Sequence, residues 1–320
     1  MDDLSTVPPV AEFKDRSTGL LVFGILQILL GCLCALLVPL MLFGQAMSAH
    51  MTGGAPNYRM AVPGVMMYGV LAVAFVWLGI GSIRCRRWAR ALVLILSWSW
   101  LVIGVIAVGF LVFLFPKMTE GLPQGGVRVV ALIVMVGMWS IMFIVVPGIM
   151  VFFYQSKHVK ATCEARDPVA RWTDGCPLPV LAVTLCLAFG AMMMFAMPLV
   201  YNSVVPCFGV LLSGLPGTLI YLFVAALWVY LAWVWYRLKP MAWWITLAVL
   251  LLFAISNVLT FTRVDLMDMY RLMDYPPEQI ALIEKYNFLS GKTMVWWSAC
   301  FMLPIFGYLI WVRRFFRRAV

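Results

Sequence analysis

Eight apolar runs, each long enough to cross a bilayer, occupy most of the 320-residue chain. A helix needs about 20 predominantly apolar residues to span a hydrocarbon core about 30 Å thick. Hydrophobic residues make up 64% of the chain, whereas soluble domains are about half apolar, so we expect these runs to be membrane helices. The predicted spans are residues 19–43, 62–83, 91–115, 129–154, 178–200, 215–236, 241–262 and 294–312.

The basic residues are distributed unevenly between the two sides that these spans define. With the N-terminus in the cytoplasm, 16 of the 23 Lys and Arg residues fall on the cytoplasmic side and 7 on the other. Positively charged loops stay preferentially in the cytoplasm, so we expect both termini there, in an integral protein of the plasma (inner) membrane. The cytoplasmic segments are then an N-terminal tail (1–18), a linker (155–177) and a basic C-terminal tail (313–320).

The net charge of +10 raises the question of a nucleic-acid partner. The basic residues cluster beside predicted membrane helices, as in Arg84–Arg90 and Arg313–Arg318. Basic groups at this depth attract anionic lipid headgroups, and that role accounts for them without DNA or RNA. We therefore expect the bilayer, with anionic headgroups at its inner face, as a partner, and no nucleic acid.

The last four spans resemble a diverged copy of the first four. Pro63-Gly64, Tyr68 and Arg84 recur at an offset of 153, and Trp139-Ser140 recurs at an offset of 158. A unit of four spans crosses an even number of times, so both copies enter from the same side and are parallel. The predicted fold is an all-α integral membrane protein with eight transmembrane helices in two tandem parallel four-helix repeats, residues 19–154 and 178–312. The recurring positions in the second half are Pro216-Gly217, Tyr221, Arg237 and Trp297-Ser298.

Prolines also occur at matched positions in the two halves. Pro39 corresponds to Pro198, and Pro147 corresponds to Pro304 after a one-residue gap. Each proline removes a backbone hydrogen bond, so the sequence predicts bends in four helices.

Residues that carry chemistry are scarce. The predicted spans contain no Asp, Glu, Lys, Arg or His, which disfavours proton relays and many ion-coupled carriers. The two histidines, His50 and His158, are too far apart in sequence for a helical zinc-protease motif. His158, Cys163 and Cys176 share the linker but lack paired C-x-x-C spacing, so no zinc site is predicted. No catalytic, cofactor-binding or metal-ligating residue and no cofactor is predicted, and the chain is expected not to be an enzyme.

Small residues follow one face of the first span. Gly24, Gln27, Gly31 and Ala35 are spaced by three, four and four residues, a pattern typical of closely packed membrane helices. Unpaired amides are costly in hydrocarbon. If a pocket exists between the helices, Gln27 and Asn257 are therefore the candidates to line it.

Residues 263–293 form the long loop of the outer side. Asp265, Asp268 and Arg271 alternate with apolar residues such as Leu266 and Met269. The segment is too charged to span and too apolar to be fully hydrated. We expect short amphipathic helices that lie on the membrane surface.

Three functions remain open at this point. The first is a non-enzymatic membrane scaffold or partner-regulating subunit, which needs no motif but implies a protein partner. The alternative is a transporter for a neutral or lipid-like solute built on the parallel repeats. A lipid-modifying membrane enzyme would need acid-base residues near an interface, and only the acids of the outer loop qualify.

The predicted topology can be tested by cysteine labelling in sealed cells. In a cysteine-free background, Ile280→Cys should react with an impermeant maleimide, whereas Ser5→Cys and Ala165→Cys should react only after permeabilisation. Labelling of Ala165→Cys in intact cells would overturn the assignment of the linker to the cytoplasm.

Overall fold

The computed structural model describes residues 13–52, 58–118, 125–200, 202–275, 280–281, 283–284 and 291–316. Within these ranges, 8 helices are long and apolar enough to cross a membrane, and each coincides with a predicted span. The prediction of eight long apolar helices at these positions is therefore confirmed. The first helix continues to Thr52, about two turns beyond its predicted end at residue 43, and this extension contains the helix-favouring residues Gln45, Ala46, Met47, Ala49 and Met51.

The helices and strands have the following bounds. The helices are α1 (Ser17–Thr52), α2 (Val62–Ile83), α3 (Arg87–Met118), α4 (Gly126–Ser140), α5 (Val146–Gln155), α6 (Lys157–Arg166), α7 (Leu178–Ala196), α8 (Leu215–Tyr236), α9 (Pro240–Arg263), α10 (Leu266–Leu272) and α11 (Gly291–Phe316). A π-helical turn, Ile141–Val145, joins α4 to α5 in one continuous span, and short 3-10 turns lie at Tyr58–Ala61, Trp172–Asp174 and Met197–Leu199. The strands are β1 (Val205–Cys207) and β2 (Val210–Leu212).

The membrane helices pack mainly as neighbours along the chain. Helix α1 packs on α2 and α7 on α8, while α3 packs on α4 and α5, and α9 on α11. The first and second four helices meet where α3 contacts α7. They also meet near the opposite end of α3, where the Phe110 ring lies edge-on to Trp297, with ring centroids 3.6 Å apart.

Glycines bring the backbones of α1 and α2 into contact. A Cβ on Gly24 would lie 2.8 Å from the carbonyl oxygen of Gly79, and a Cβ on Gly79 would lie 2.6 Å from that of Gly24. Both distances are too short for a real Cβ, so neither position tolerates a side chain. Packing through Gly24, Gln27 and Gly31 is confirmed, but the buried stripe continues through Cys34, and Ala35 is exposed.

The connections α2–α3 and α8–α9 have the same backbone structure. The first turn is Arg84–Arg86 and the second is Arg237–Lys239, 153 residues later. The middle residue has a positive φ in each turn, 50° at Cys85 and 55° at Leu238. The N–H of this residue donates a hydrogen bond to the carbonyl three residues before it, at 2.9 Å in both turns. The N–H of the next residue donates to the carbonyl five residues before it, at 2.9 and 3.2 Å. This is the Schellman pattern that ends helices.

The matched prolines lie in different local structures. Pro147 lacks the N–H that would bond to the Phe143 carbonyl, and the π-helical turn occurs at this point. A Cβ at Gly104 of α3 would collide with that carbonyl oxygen, so glycine lets α3 approach the turn. Pro39 and Pro304 are inside α1 and α11. Pro198 lies in the 3-10 turn that follows α7.

A β-hairpin after α7 was not predicted from the sequence. Strands β1 and β2 are antiparallel and are joined by Phe208 and Gly209, which both have positive φ, as in tight two-residue turns. The N–H of Phe208 donates to Ser256 Oγ (2.9 Å) and the N–H of Gly209 to Thr260 Oγ1 (3.0 Å), so α9 holds the turn. The strands are short and apolar and follow a predicted membrane span, so no sequence pattern distinguishes them from it.

Helix α10 lies in the segment for which the sequence predicts short surface helices. Asp265 caps it by accepting a bond from the Met267 N–H (3.1 Å), and Leu266 is buried. Asn202 donates to the carboxylate of Asp274 just beyond its end (2.7 Å). The position of α10 on a membrane surface stays a prediction. Residues 276–279, 282 and 285–290 of the same segment lie outside the described residues.

The glycine contact between α1 and α2 predicts a large difference between two substitutions in one helix. We expect Gly79→Ala to lower the free energy of unfolding by about 1–3 kcal/mol, because the methyl group meets rigid backbone. Gly69→Ala, where a Cβ meets nothing within 4 Å, should be neutral or stabilising. Unfolding in mixed detergent micelles measures both, and equal effects would contradict the proposed contact.

Candidate functional site at the basic end

One end of the bundle brings the linker together with both sets of membrane helices. We call it the basic end; it comprises the Arg84–Arg86 turn, the first turn of α3, α6, the 3-10 turn Trp172–Asp174 and the start of α7. The N–H of Arg16, just before α1, donates to Thr162 Oγ1 of α6 (3.1 Å). Tyr236 at the end of α8 donates its hydroxyl proton to the Trp172 carbonyl (2.9 Å). The linker is therefore folded against the bundle.

Asp167 is the central acceptor of this region and its side chain is only 2% exposed. It accepts bonds from Arg171 at 2.8 and 3.2 Å, from the Arg86 guanidinium at 3.3 Å and from the Arg87 N–H at 3.3 Å. The hydrogen bonds from Arg171 hold the pKa of Asp167 below its ordinary value. One carboxylate thus joins the linker to the α2–α3 turn.

A second set of charges surrounds the first residue of α3. Arg87 lies 3.5 Å from Glu164 of α6 and 3.4 Å from Asp174 of the 3-10 turn. Lys160 lies 3.8 Å from the same glutamate. Partly exposed pairs of this kind each contribute about 0–1 kcal/mol, so they orient the side chains more than they stabilise the fold.

A cavity of about 290 Å³ opens between these elements. Thr173, which is 2% exposed, and Arg90 both line it. Within the described part of the chain, the Thr173 hydroxyl oxygen and the Arg90 Nε are buried without a hydrogen-bond partner. The full lining is Arg87, Arg90, Ala91, Lys160, Cys163, Glu164, Thr173, Asp174, Cys176 and Leu178.

The two cysteines of the cavity are poor candidates for chemistry. Burial raises the pKa of the Cys163 thiol to about 12 and that of Cys176 to about 11. Both are protonated at neutral pH, whereas nucleophiles and metal ligands are thiolates. His158 accepts a bond from the Lys14 N–H (3.4 Å). Among the residues with described positions, no three His, Cys, Asp or Glu side chains are grouped to hold a metal.

Gln27, one predicted pocket residue, lies in a packed interface. Its side chain is 3% exposed, and its Nε2 donates to the Tyr154 hydroxyl (3.0 Å). Ser82 Oγ lies 2.6 Å from the same hydroxyl, so the three residues join α1, α2 and α5. The Gln27 Oε1 is buried without a partner in the described structure.

Asn257, the other predicted residue, is half-buried on α9. It lies 17 residues after Pro240, whereas Gln27 lies 10 residues after Ser17. At 1.5 Å per residue these positions are roughly 26 and 15 Å from the starts of their helices. That Gln27 and Asn257 line one pocket stays a prediction.

The residues of the basic end were not identified as a site from the sequence. Two of them, Asp167 and Thr173, belong to the linker, and Arg90 belongs to the basic stretch between the second and third spans. The charges of these segments predict only that they are exposed to solvent. The available signal was Asp167-Pro168 followed by Arg171, an acid-base pair four residues apart beside a helix-ending proline.

Replacing Asp167 tests its role as the link between segments. We expect Asp167→Asn to lower the free energy of unfolding by about 1–3 kcal/mol at neutral pH, because charged hydrogen bonds are lost. The folded-state pKa lies below the ordinary 3.8, so this stabilisation is present above 3.8 and is lost as the pH falls through the folded pKa. The difference from wild type should therefore vanish in acid.

Asp15→Asn is the matched control, because Asp15 forms an exposed pair with Arg166 (3.2 Å). It should change stability less than Asp167→Asn does. Unfolding in mixed micelles as a function of pH measures both variants, and a pH-independent loss in Asp167→Asn would contradict the role of the carboxylate.

Comparison with protein-family models, curated proteins and solved structures found no match to this chain. Its function is therefore inferred from its own residues and geometry.

Proposed function

We propose that this multi-pass membrane protein is a non-enzymatic scaffold or partner-regulating subunit that binds a protein partner at its basic end. The observation that supports this most directly is the Asp167 cluster, which fixes the linker to the bundle. A fixed surface binds a partner at a smaller entropic cost than a loose segment does. The uneven distribution of basic residues supports an orientation with this end in the cytoplasm, in a plasma (inner) membrane.

The exposed surface beside Asp167 has the composition of a docking site. Lys157, Lys160 and Arg166 are exposed on α6, while Val159 and Cys163 are buried beneath them. Val169 and Trp172, which follow α6 in the chain, are also exposed. We call Lys157, Lys160, Arg166, Val169 and Trp172 the docking face.

The chemistry of the docking face favours an acidic protein segment with an apolar anchor. Trp and Arg are enriched in interface hot spots, and the cations complement acidic residues. Glu164 and Asp174 lie on the same side of the protein and pair with Arg87, so this side carries charges of both signs. A polypeptide with mixed charge suits this surface better than lipid headgroups alone.

A transporter for a neutral or lipid-like solute is the second candidate. It is supported by the likeness of the two halves: α1–α2 and α7–α8 pack as corresponding pairs, and the two Schellman turns share one bonding pattern at an offset of 153. These features favour the parallel duplication of residues 19–154 and 178–312. They do not favour movement of the halves.

Photo-crosslinking in cells tests the docking face. With p-benzoyl-phenylalanine at Val169 or Trp172, we expect a protein adduct of one defined mass, and none with the probe at the exposed Asp268, a control on the outer segment. Lys157→Glu with Lys160→Glu should abolish the adduct. Adducts with lipid only, or protein adducts unaffected by charge reversal, would contradict a protein docking face.

Electron–electron distance measurements distinguish the scaffold from the transporter. Spin labels at Phe113 and Leu215 report one end of the two halves, and labels at Phe152 and Met241 report the other; all four side chains are exposed. A scaffold should give one narrow distribution for each pair. Two populations that shift in opposite directions at the two ends would favour alternating access instead.

A further inference from the structure

The cavity at the basic end is formed by three parts of the chain. Arg87, Arg90 and Ala91 come from the first turns of α3, Lys160 and Cys163 from α6, and Thr173 to Leu178 from the segment that leads into α7. A ligand here would contact both halves and the linker. The volume of the cavity, about 290 Å³, is at the small end of the range for ligand pockets.

The charged side chains of the lining leave one positive charge in excess. Three cations (Arg87, Arg90 and Lys160) face two carboxylates (Glu164 and Asp174), which gives a net formal charge of +1. Arg87 lies within ion-pair distance of both carboxylates and Lys160 of one. Within the described residues, Arg90 has no ion pair at 4.0 Å or less, so we assign the excess positive charge of the lining to Arg90.

Two residues of the cavity lining each carry a buried polar atom without a partner in the described structure. The Thr173 hydroxyl and the Arg90 Nε–H are buried, and neither has a hydrogen-bond partner in the described structure. Native proteins rarely leave buried polar groups unsatisfied, so such groups are candidates to bind a ligand. An oxyanion accepts hydrogen bonds from both a hydroxyl and a guanidinium and also neutralises the guanidinium charge.

We propose that this cavity binds a phosphate monoanion, with the Arg90 guanidinium and the Thr173 hydroxyl as its donors. A single negative charge balances the +1 lining, whereas a dianion would leave an excess charge against Glu164 and Asp174. A phospholipid phosphodiester and a free phosphate compound share this chemistry. The cavity lies where α3 and α7 begin, at headgroup depth if the basic end faces the cytoplasm.

Binding to the detergent-purified, delipidated full chain tests the proposal in two arms. One arm titrates inorganic phosphate at mildly acidic pH, where the monoanion predominates, and follows the midpoint of thermal unfolding. The other arm titrates phosphatidylglycerol and counts bound lipid by native mass spectrometry. We expect saturable binding in at least one arm, and the arm that responds identifies the source of the phosphate.

Four variants separate a built site from general attraction. Arg90→Gln and Thr173→Val should weaken binding at least tenfold, and Thr173→Val should fold normally because it removes only an unsatisfied hydroxyl. Thr173→Ser retains a hydroxyl and should bind within about twofold of wild type. Arg84→Gln removes an exposed charge at the same end and should also leave binding unchanged.

Three results would overturn the proposal. The first is no saturable binding in either arm. The second is wild-type binding by Thr173→Val, which would mean that the hydroxyl faces water alone. The third is an equal loss in Arg84→Gln and Arg90→Gln, which would mean a diffuse attraction of the basic end for anions.

Discussion

The fold depends on the requirement that polar groups be satisfied without water in the bilayer interior. Backbone groups meet it inside helices, and polar side chains meet it by pairing between helices. Trp235, which is fully buried, donates its indole N–H to Thr246 (2.7 Å), and Trp243 donates to the carbonyl of Leu309 (2.7 Å). Gln27 meets the requirement only in part: its Nε2 donates to the Tyr154 hydroxyl, whereas its Oε1 is buried without a partner in the described structure.

The same requirement concentrates charge at the ends of the helices. The guanidinium of Arg313 lies over the rings of Trp243 and Trp244, at 4.7 and 5.1 Å from their centroids. At the basic end, arginines instead meet carboxylates of the linker, and Asp167 is buried there because three donors surround it. Charged groups that are excluded from the interior therefore build, within the described residues, a region that combines a cavity, unsatisfied donors and the proposed docking face.

The two halves share helix pairing and turns but differ at their matched prolines and on the outer side. The first half contains a π-helical turn at Pro147. The second half contains the β-hairpin, which follows α7, and the short helix α10, which follows α9. The proposed duplication, followed by divergence, would account for both the shared turns and these differences. The features proposed for function lie in the linker, which has no counterpart in either half, and in the first turns of α3.

The sequence alone determined the number of membrane spans, their approximate bounds and the close packing of α1, because hydrophobic length and small-residue spacing are local properties. It also indicated the tight basic turns, since helix-ending geometry depends on a few neighbouring residues. Only the tertiary structure brought Arg90, Lys160 and Thr173 around one cavity and placed Asp167 against Arg86, because these residues are 70 or more positions apart or belong to different elements. It also placed Gln27 against Tyr154. Pairing between distant segments depends on how the helices pack, and no local pattern in the chain encodes it.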